Sequence, residues 1–278
     1  MSGITLSEIN IYPIKSLGGI SLSESVVENK GLQFDRRWML TDKKGRFLTQ
    51  REFPLMATLD VSLEIDSLKV TAKGGDSIAI PFAENQTGAE QRVSVWESKL
   101  NARVADNSVN EWFSDALQTD CLLVQMNENS KRIVSPYYAV RKYQDEVSFA
   151  DGYPVLLIGE SSLEDLNSRL ENPVPMNRFR PNLVVKNAEA FAEDKWKKIR
   201  IGETVFHLVK PCARCVMTTI DQKTGISDGG EPLKTLANYR LVKRAGKSKI
   251  NFGQNLIAEN AGTKIKLGDK VEIIEIKK

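Results

Sequence analysis

Short β-prone segments separated by turn residues run through most of this chain, and they restrict its fold more than any other feature. Val61–Ile65 alternates apolar and polar residues with period two, as a half-buried strand does. Short strands at this spacing favour a closed or nearly closed barrel over an array of alternating strands and helices. Further strands are predicted at Arg37–Leu40, Phe47–Thr49, Lys69–Ala72, Ser77–Ile80, Gln91–Trp96, Asn182–Lys186, Thr204–Val209, Cys215–Asp221 and Lys270–Ile276, with a loop from Pro81 to Glu90.

Helix signals are fewer. Ser-x-x-Glu capping boxes begin at Ser108 and Ser161, and apolar residues follow each box at helical spacing. Pro232 lies at an early position of a third predicted helix. We therefore predict a mainly β fold with a few helices, of the α+β class. A polar run after the first helix places the boundary between a β-rich N-terminal domain, residues 1–120, and a β-barrel domain, residues 121–278, which pack together.

Composition excludes several functional classes. The 278 residues carry a formal net charge of +3, which gives no global argument for binding nucleic acid or an anionic membrane. No segment approaches the roughly 20 apolar residues of a membrane span, and Glu8 interrupts the position of an export signal. We therefore expect a cytoplasmic protein. Three cysteines and a single histidine, His207, argue against a disulfide framework and a multi-histidine metal site.

The segment Val205–Asp221 carries the most informative chemistry. It is predicted to form a strand, a loop that contains proline, and a second strand. Cys212 and Cys215 lie in a Cys-Ala-Arg-Cys loop, with Lys210 and Arg214 beside them. Adjacent cations stabilise a thiolate, which makes a cysteine a better metal ligand or nucleophile.

Three interpretations of the cysteine pair remain open on these residues alone. The two cysteines can be partly buried structural thiols. They can form a thioredoxin-like dithiol, although the β-branched run Val216–Ile220 favours a strand where that motif needs a helix. They can also bind structural zinc with Cys121 and His207, although zinc normally takes a second close-spaced pair of ligands.

A second group of residues places cations beside predicted strand ends. Lys15 and Ser16 follow the first strand, Arg36 begins another, and Arg180 and Asn182 precede a third. Solvated surface charge is the default interpretation of any single Lys or Arg. If these cations gather near the cysteine loop, they suit a phosphate, because Arg–phosphate pairs are charge-assisted and can be bidentate.

A series of motifs in order along nearly the whole chain resembles the MOSC domain and the β-barrel domain that precedes it. The family includes the mitochondrial amidoxime-reducing component and bacterial relatives that reduce N-hydroxylamines. The motifs are IYPIKS (11–16), GLQFDRRWML (31–40), TQREFPLM (49–56), FADGYP (149–154), FRPNLVV (179–185), KPCARCVMTTID (210–221), EPLKTLANYR (231–240) and FGQNLIAENAG (252–262).

The resemblance implies that the chain binds a molybdenum–pterin cofactor (Mo-molybdopterin). Cys215, the second cysteine of the Cys-x-Arg-Cys motif, would be the protein ligand to molybdenum and the catalytic residue. Cys212 would not be a ligand, and no role is implied for His207. The residues implied to hold the pterin and its phosphate, or to line the same pocket, are Lys15, Ser16, Arg36, Asp151, Gly152, Tyr153, Arg180, Asn182, Ala213 and Arg214.

The resemblance further implies an oxidoreductase that reduces small N-hydroxylated substrates such as hydroxylamines, amidoximes and N-hydroxylated bases. Some bacterial relatives carry a ferredoxin domain with four cysteines, and this sequence has no such run. Electrons are therefore expected from a separate ferredoxin- or flavin-type protein. Because other MOSC-domain proteins handle the cofactor or move sulfur, a carrier module without turnover is the alternative.

Overall fold

The computed structural model describes residues 3–82, 88–227, 229–244 and 246–277. Residues 83–87 of the predicted loop from Pro81 to Glu90 therefore lie outside the described residues. The strands are β1 (Thr5–Ile11), β2 (Ile20–Leu22), β3 (Glu24–Glu28), β4 (Gly31–Leu32), β5 (Trp38–Thr41), β6 (Asp60–Leu63), β7 (Ser67–Thr71), β8 (Ser77–Pro81), β9 (Glu90–Val95), β10 (Ser98–Val104), β11 (Leu122–Met126), β12 (Val155–Gly159), β13 (Leu183–Lys186), β14 (Trp196–Ile201), β15 (Thr204–Ala213), β16 (Leu241–Arg244), β17 (Lys247–Ala258), β18 (Thr263–Lys266) and β19 (Val271–Ile276).

Three α-helices accompany these strands in the described part of the chain: α1 (Asn107–Leu117), α2 (Glu160–Asn167) and α3 (Leu233–Arg240). None of these described helices has the length and apolar character needed to cross a membrane. The prediction of a mainly β fold with a few helices is confirmed. Single 3₁₀ turns cover Pro54–Thr58, Met176–Phe179, Ala192–Asp194 and Val216–Thr219.

The largest sheet has the strand order β19-β14-β15-β17-β12-β13-β1-β2, with β16 attached to β17. Neighbours are antiparallel except β12 and β13, which are parallel and are joined by α2. The amide of Leu6 donates to the carbonyl of Asp269 at 2.9 Å, and the amide of Val271 donates to that of Ile4 at 2.9 Å. These bonds bring β1 back to the start of β19, so the sheet curls into a nearly closed barrel around an apolar core.

Three smaller sheets complete the fold, in the orders β5-β11-β10-β9, β6-β7-β8 and β18-β3-β4. The β6-β7-β8 sheet joins the strands predicted at Val61–Ile65, Lys69–Ala72 and Ser77–Ile80 into a meander. Gly45 (φ +79°) forms the turn that follows β5, where its amide donates to Asp42. A Cβ there would lie 2.2 Å from the carbonyl oxygen of Arg92, so only glycine fits this turn.

Two strands near the N-terminus, β1 and β3, hydrogen-bond to strands from the second half of the chain. β1 pairs with β13, and β3 pairs with β18. This pairing places the loop after β1 beside the loop before β13, two of the segments in which cations were predicted near strand ends. The division into domains at residues 120 and 121 stays a prediction.

Four local predictions were wrong. The segment after Cys215 is a 3₁₀ turn, Val216–Thr219, and not a strand. The hydroxyls of Thr218 and Thr219 donate to carbonyls three residues earlier, at 3.1 and 2.8 Å, and these bonds stabilise a turn despite the β-branched sequence. Likewise, α1 begins at Asn107 with Asp106 as its N-cap and α2 begins at Glu160 with Gly159 as its N-cap, so neither the box at Ser108 nor the box at Ser161 caps its helix. Phe47 forms only an isolated bridge with Thr41, so Phe47–Thr49 is not a strand.

Candidate functional site

All eleven residues that the sequence analysis assigned to a cofactor site line one cavity of about 410 Å³. The cavity lies where loops from the barrel and from the smaller sheets meet. It therefore unites segments that are up to 200 residues apart in the chain. The predicted residues in its lining are Lys15, Ser16, Arg36, Asp151, Gly152, Tyr153, Arg180, Asn182, Ala213, Arg214 and Cys215.

Lys15 and Asp151 form the ion pair on one wall. The Lys15 ammonium donates to Asp151 at 2.6 Å and to the carbonyl of Phe149 at 2.9 Å. Burial lowers the pKa of Lys15, whereas Asp151 raises it. Partial desolvation would raise the pKa of Asp151, which keeps one face open to solvent, but the Lys15 charge and the indole N–H of Trp96 hold the pKa well below its usual range. Asp151 is therefore ionised at neutral pH, and its close contact favours the charged form of Lys15.

Replacing Asp151 by asparagine is expected to lower the free energy of unfolding by about 1–2 kcal/mol at pH 7. Lys15 is nearly buried and would lose its charged partner, but the Asp151 side chain is 61% exposed, so water screens the pair. Because the pKa of Asp151 is lower in the folded chain, its contribution is complete above about pH 4 and is lost on further acidification.

Urea unfolding of the wild type and the Asp151→Asn variant at pH 7 and pH 3 measures this difference. The difference between the two free energies of unfolding should be smaller at pH 3 than at pH 7, because acidification begins to protonate the unfolded-state carboxyl. A difference that grows on acidification would contradict the ion pair.

Arg132, which the sequence analysis did not identify, shapes the loop that contains Asp151. Its buried guanidinium donates to the carbonyls of Ser148, Ala150 and Asp151. Three backbone carbonyls directed at one side chain fix the path of residues 148–151. The sequence signal was weak, because Arg132 lies in a polar run that resembles an exposed linker.

A second wall is a stack of two guanidinium groups on a buried tyrosine. The guanidinium carbon of Arg180 lies 4.1 Å from the ring centre of Tyr12, and that of Arg36 lies 4.4 Å from it. Arg36 also donates to Asp35 at 2.6 Å and to the side chain of Asn182 at 3.1 Å. Burial lowers the pKa of Arg180 to about 10, so it still carries its charge at neutral pH.

Backbone strain is concentrated around this cavity. Of the nine non-glycine residues with a left-handed backbone in the described ranges, four line it: Ser16 (φ 70°), Arg36 (φ 51°), Trp96 (φ 54°) and Arg180 (φ 53°). This conformation costs of the order of 1–3 kcal/mol per residue and persists only where surrounding contacts enforce it. Such strain clusters at binding sites, where it fixes the direction of a side chain.

The cysteine loop closes the cavity. Cys215 follows β15 and is exposed, whereas Cys212 is half-buried. Arg214 does not extend into solvent, because its side chain donates to the carbonyls of Phe252 and Phe179 at 2.7 and 2.9 Å. These bonds hold the loop that presents Cys215 against the middle of β17 and the 3₁₀ turn before Arg180.

Gly253 permits this approach of the arginine. It has φ +80°, and a Cβ there would lie 2.7 Å from the side chain of Ile158 and 3.3 Å from the Arg214 guanidinium. A larger residue would therefore displace β12 or the arginine. The glycine of the FGQNL motif thus has a steric role in the site.

The zinc alternative lacks a ligand set. Cys121 is buried against Ser114 beside α1, and His207 contacts Glu259 at 2.9 Å. In the described ranges, no group of three or more His, Cys, Asp or Glu side chains could hold a metal ion. Burial raises the pKa of Cys212, which disfavours its thiolate.

Further residues that line the cavity were not assigned to it from the sequence, among them Arg51, Trp96 and Lys210. The Trp96 indole donates to Asp151 at 3.2 Å, and the guanidinium of Arg51 lies 4.9 Å from the Trp96 ring centre. Lys210 lies 4.6 Å from the ring centre of Tyr138. Arg51 belongs to a motif that was recognised, but Trp96 ends a predicted strand and carries no signal of a binding site.

The cavity has a large excess of positive charge. Its lining contains seven Lys or Arg residues and a single carboxylate, Asp151. Within the described residues, Nη2 of Arg180 and Nη2 of Arg214 are buried without a hydrogen-bond partner. Because a buried unpaired donor is costly, a ligand with several anionic oxygens would satisfy both. The residues therefore fit the phosphorylated pterin predicted from the sequence.

The fold and the site define a β-barrel protein with a cation-lined cavity that ends at an exposed cysteine. The MOSC N-terminal beta barrel domain matches residues 3–120, and the MOSC domain matches residues 144–272.

Curated relatives match nearly the whole chain. Mitochondrial amidoxime-reducing component 1 of Mus musculus is 35% identical over 97% of this chain and 82% of that protein. Component 2 of Rattus norvegicus is 36% identical over 96% of this chain and 82% of that protein. Molybdenum cofactor sulfurase of Oryza sativa is 34% identical over 91% of this chain but only 32% of that protein. The chain therefore belongs to the MOSC-domain family that includes the mitochondrial amidoxime-reducing components.

Proposed function

We propose that this protein is a molybdenum-cofactor-dependent reductase of small N-hydroxylated compounds, with Cys215 as the protein ligand to molybdenum. In the overall reaction the N–O bond breaks, two electrons and two protons are consumed, and the oxygen leaves as water. An amidoxime would give an amidine, and a hydroxylamine would give an amine. When bound, the cofactor supplies the two-electron redox chemistry.

One observation carries this proposal. The cations Lys15, Arg36 and Arg180, from three distant motifs, line the same cavity as Cys215. Their convergence supports a single anionic ligand that reaches to the thiol. The names of the relatives, which describe amidoxime reduction and a molybdenum cofactor, support the identity of that ligand and the reaction.

Different residues of the chain would bind or position different parts of the cofactor. Arg180 and Arg214 would donate their unpaired Nη2 groups to the phosphate and to acceptors of the pterin. Lys15 holds Asp151, and together with Arg132 it fixes the loop that contains Gly152 and Tyr153 against the ligand. Cys215 would supply a soft thiolate, which suits a polarisable metal.

Protons for the reaction would come from water. Burial raises the pKa of Tyr153 far above its usual range, so its hydroxyl stays protonated and is a poor acid. His207 does not line the cavity in the described structure. Because Cys215 is exposed, water and small substrates can reach the position that its sulfur faces.

Turnover by the loaded protein tests the proposal. Protein purified from a host that makes the cofactor should contain close to one molybdenum per chain and reduce benzamidoxime with dithionite-reduced methyl viologen at about 1 s⁻¹, a usual enzymatic rate. Protein from a host unable to make the cofactor is the control and should be inactive. Loaded protein that reduces neither benzamidoxime nor an N-hydroxylated base would contradict the function.

The match to part of molybdenum cofactor sulfurase favours one alternative, a carrier of the cofactor or of sulfur. The same experiment separates the two. Stoichiometric molybdenum without turnover would support the carrier, whereas turnover supports the reductase. We further propose that a separate ferredoxin- or flavin-type protein supplies the electrons and that the protein is cytoplasmic.

A further inference from the structure

The hairpin of β16 and β17 carries a concentration of positive charge that the cofactor site does not use. Residues 233–250 contain six cations and no carboxylate, although the formal net charge of the whole chain is only +3. Arg240 is neutralised by an ion pair with Asp194. Lys243, Lys247 and Lys249 have no ion pair with any described residue. The cations of the segment are Lys234, Arg240, Lys243, Arg244, Lys247 and Lys249.

This hairpin lies beside the cysteine loop. The amide of Arg214 donates to the carbonyl of Ile250 at 2.7 Å, and Ala213 pairs with Asn251. Lys249 is thus one residue from a direct backbone contact with the residue before Cys215. It is also close enough to Lys210, on the cavity wall, for the two charges to repel each other. Lys249 therefore lies near the mouth of the cavity, and Lys243 and Lys247 lie further along the same hairpin.

Exposed apolar side chains accompany these cations. Val242 is 50% exposed and Leu241 is 41% exposed on β16. Val216, which follows Cys215 directly, is 48% exposed. A few apolar groups surrounded by charge are typical of small, transient protein–protein interfaces, in which charge guides the encounter.

We propose that the β16–β17 hairpin and Val216 form the docking surface for an acidic one-electron carrier, an iron–sulfur or flavin protein. This inference rests on the proposed function, because it names the surface through which the reductase receives electrons. Two carrier molecules would each be oxidised by one electron for every N–O bond that is reduced, with both protons taken from water. The position of the hairpin beside Cys215 would bring the carrier close to the redox centre.

The exposed apolar groups favour a protein partner over a nucleic acid, whose binding is dominated by phosphate contacts. Proximity to the cysteine loop also suits an electron carrier, which must come close to the redox centre. Lipid or polynucleotide binding by the lysines is therefore an outcome that the test must be able to detect.

Charge reversal tests the surface. The triple variant Lys243→Glu, Lys247→Glu, Lys249→Glu should bind reduced plant-type ferredoxin or flavodoxin, both acidic carriers, about 10- to 100-fold more weakly than the wild type at low salt. With the same carrier, kcat/KM for the carrier should fall by a similar factor. Turnover with methyl viologen should stay within twofold, because the small dye needs no docking surface.

The matched control reverses three exposed lysines outside the cavity lining, Lys69, Lys73 and Lys186. It should bind the carriers as the wild type does. Circular dichroism and molybdenum content should be unchanged in both triple variants. Raising the ionic strength should weaken wild-type binding and remove most of the difference from the hairpin variant, because salt screens exposed charges.

Binding by titration calorimetry needs no turnover, so it separates this inference from the proposed function. Failure of wild-type protein to reduce benzamidoxime with the dye would contradict the reductase alone. Absence of salt-dependent binding of either carrier to wild type, or equal binding by wild type and hairpin variant, would overturn the docking surface. The docking surface would also be overturned if the hairpin variant lost the binding of wild type to anionic phosphatidylglycerol vesicles or duplex DNA while it bound the carriers unchanged.

Discussion

Replacement of Cys215 by serine is expected to lower the rate of benzamidoxime reduction at least about 1000-fold, the size of effect seen when a group essential to the chemical step is removed. A serine oxygen is a harder and much less acidic ligand than a thiolate, so it holds a polarisable metal poorly. Cys215 is exposed, and it ends a loop that Arg214 anchors by two side-chain hydrogen bonds. The substitution should therefore leave the fold intact.

Cys212→Ser is the matched control for this prediction. Cys212 lies in the same loop, but burial raises the pKa of its thiol and keeps it protonated. Activity should stay within about threefold of the wild type, since a half-buried thiol that is not a ligand contributes only packing. The measurement is steady-state turnover per molybdenum, with dye as reductant. Equal losses in the two variants would mean that the roles of the cysteines are wrongly assigned.

Arg180→Ala is expected to lower the affinity for the cofactor about 10- to 100-fold. Its guanidinium is buried on Tyr12, and its Nη2 lacks a partner among the described residues. A charge-assisted hydrogen bond to a phosphate contributes about 1.5–3 kcal/mol, which corresponds to this range. Molybdenum and pterin content of the purified protein, and the rate of cofactor loss on dilution, measure the effect.

Arg200→Ala is the control, because Arg200 is exposed and pairs only with Glu272 on the outside of the barrel. It should retain the wild-type molybdenum content. Arg180→Lys should retain part of the affinity, since it keeps the charge but cannot form a bidentate contact. If the Arg180→Ala variant kept its full content of molybdenum and pterin, Arg180 would have only a structural role, in which it packs on Tyr12.

Local sequence patterns predicted strands well where each strand pairs with its neighbour in the sequence. The meander of β6, β7 and β8 follows from alternation and turn glycines, and Gly45 forms a turn that only glycine fits. The parallel pairing of β12 and β13 was not predicted. It depends on α2 folding back on the sheet, a contact that no short window of sequence contains.

The motifs predicted which residues line the site. They did not predict the contacts that hold those residues in place. Arg132 acts through three carbonyls, and Trp96 acts through a strained turn and a hydrogen bond to Asp151. These roles exist only after distant loops meet. The strand predicted after Cys215 was wrong for a related reason, because threonine hydroxyls bonded to nearby carbonyls outweigh β-branched propensity.

X-ray absorption at the molybdenum edge, on loaded wild-type protein and on Cys215→Ser, tests most directly whether the Cys215 thiolate binds the metal. The account predicts a sulfur shell around molybdenum that loses one scatterer in the variant and keeps all of them in Cys212→Ser. A sulfur shell that is identical in wild type and Cys215→Ser would contradict it.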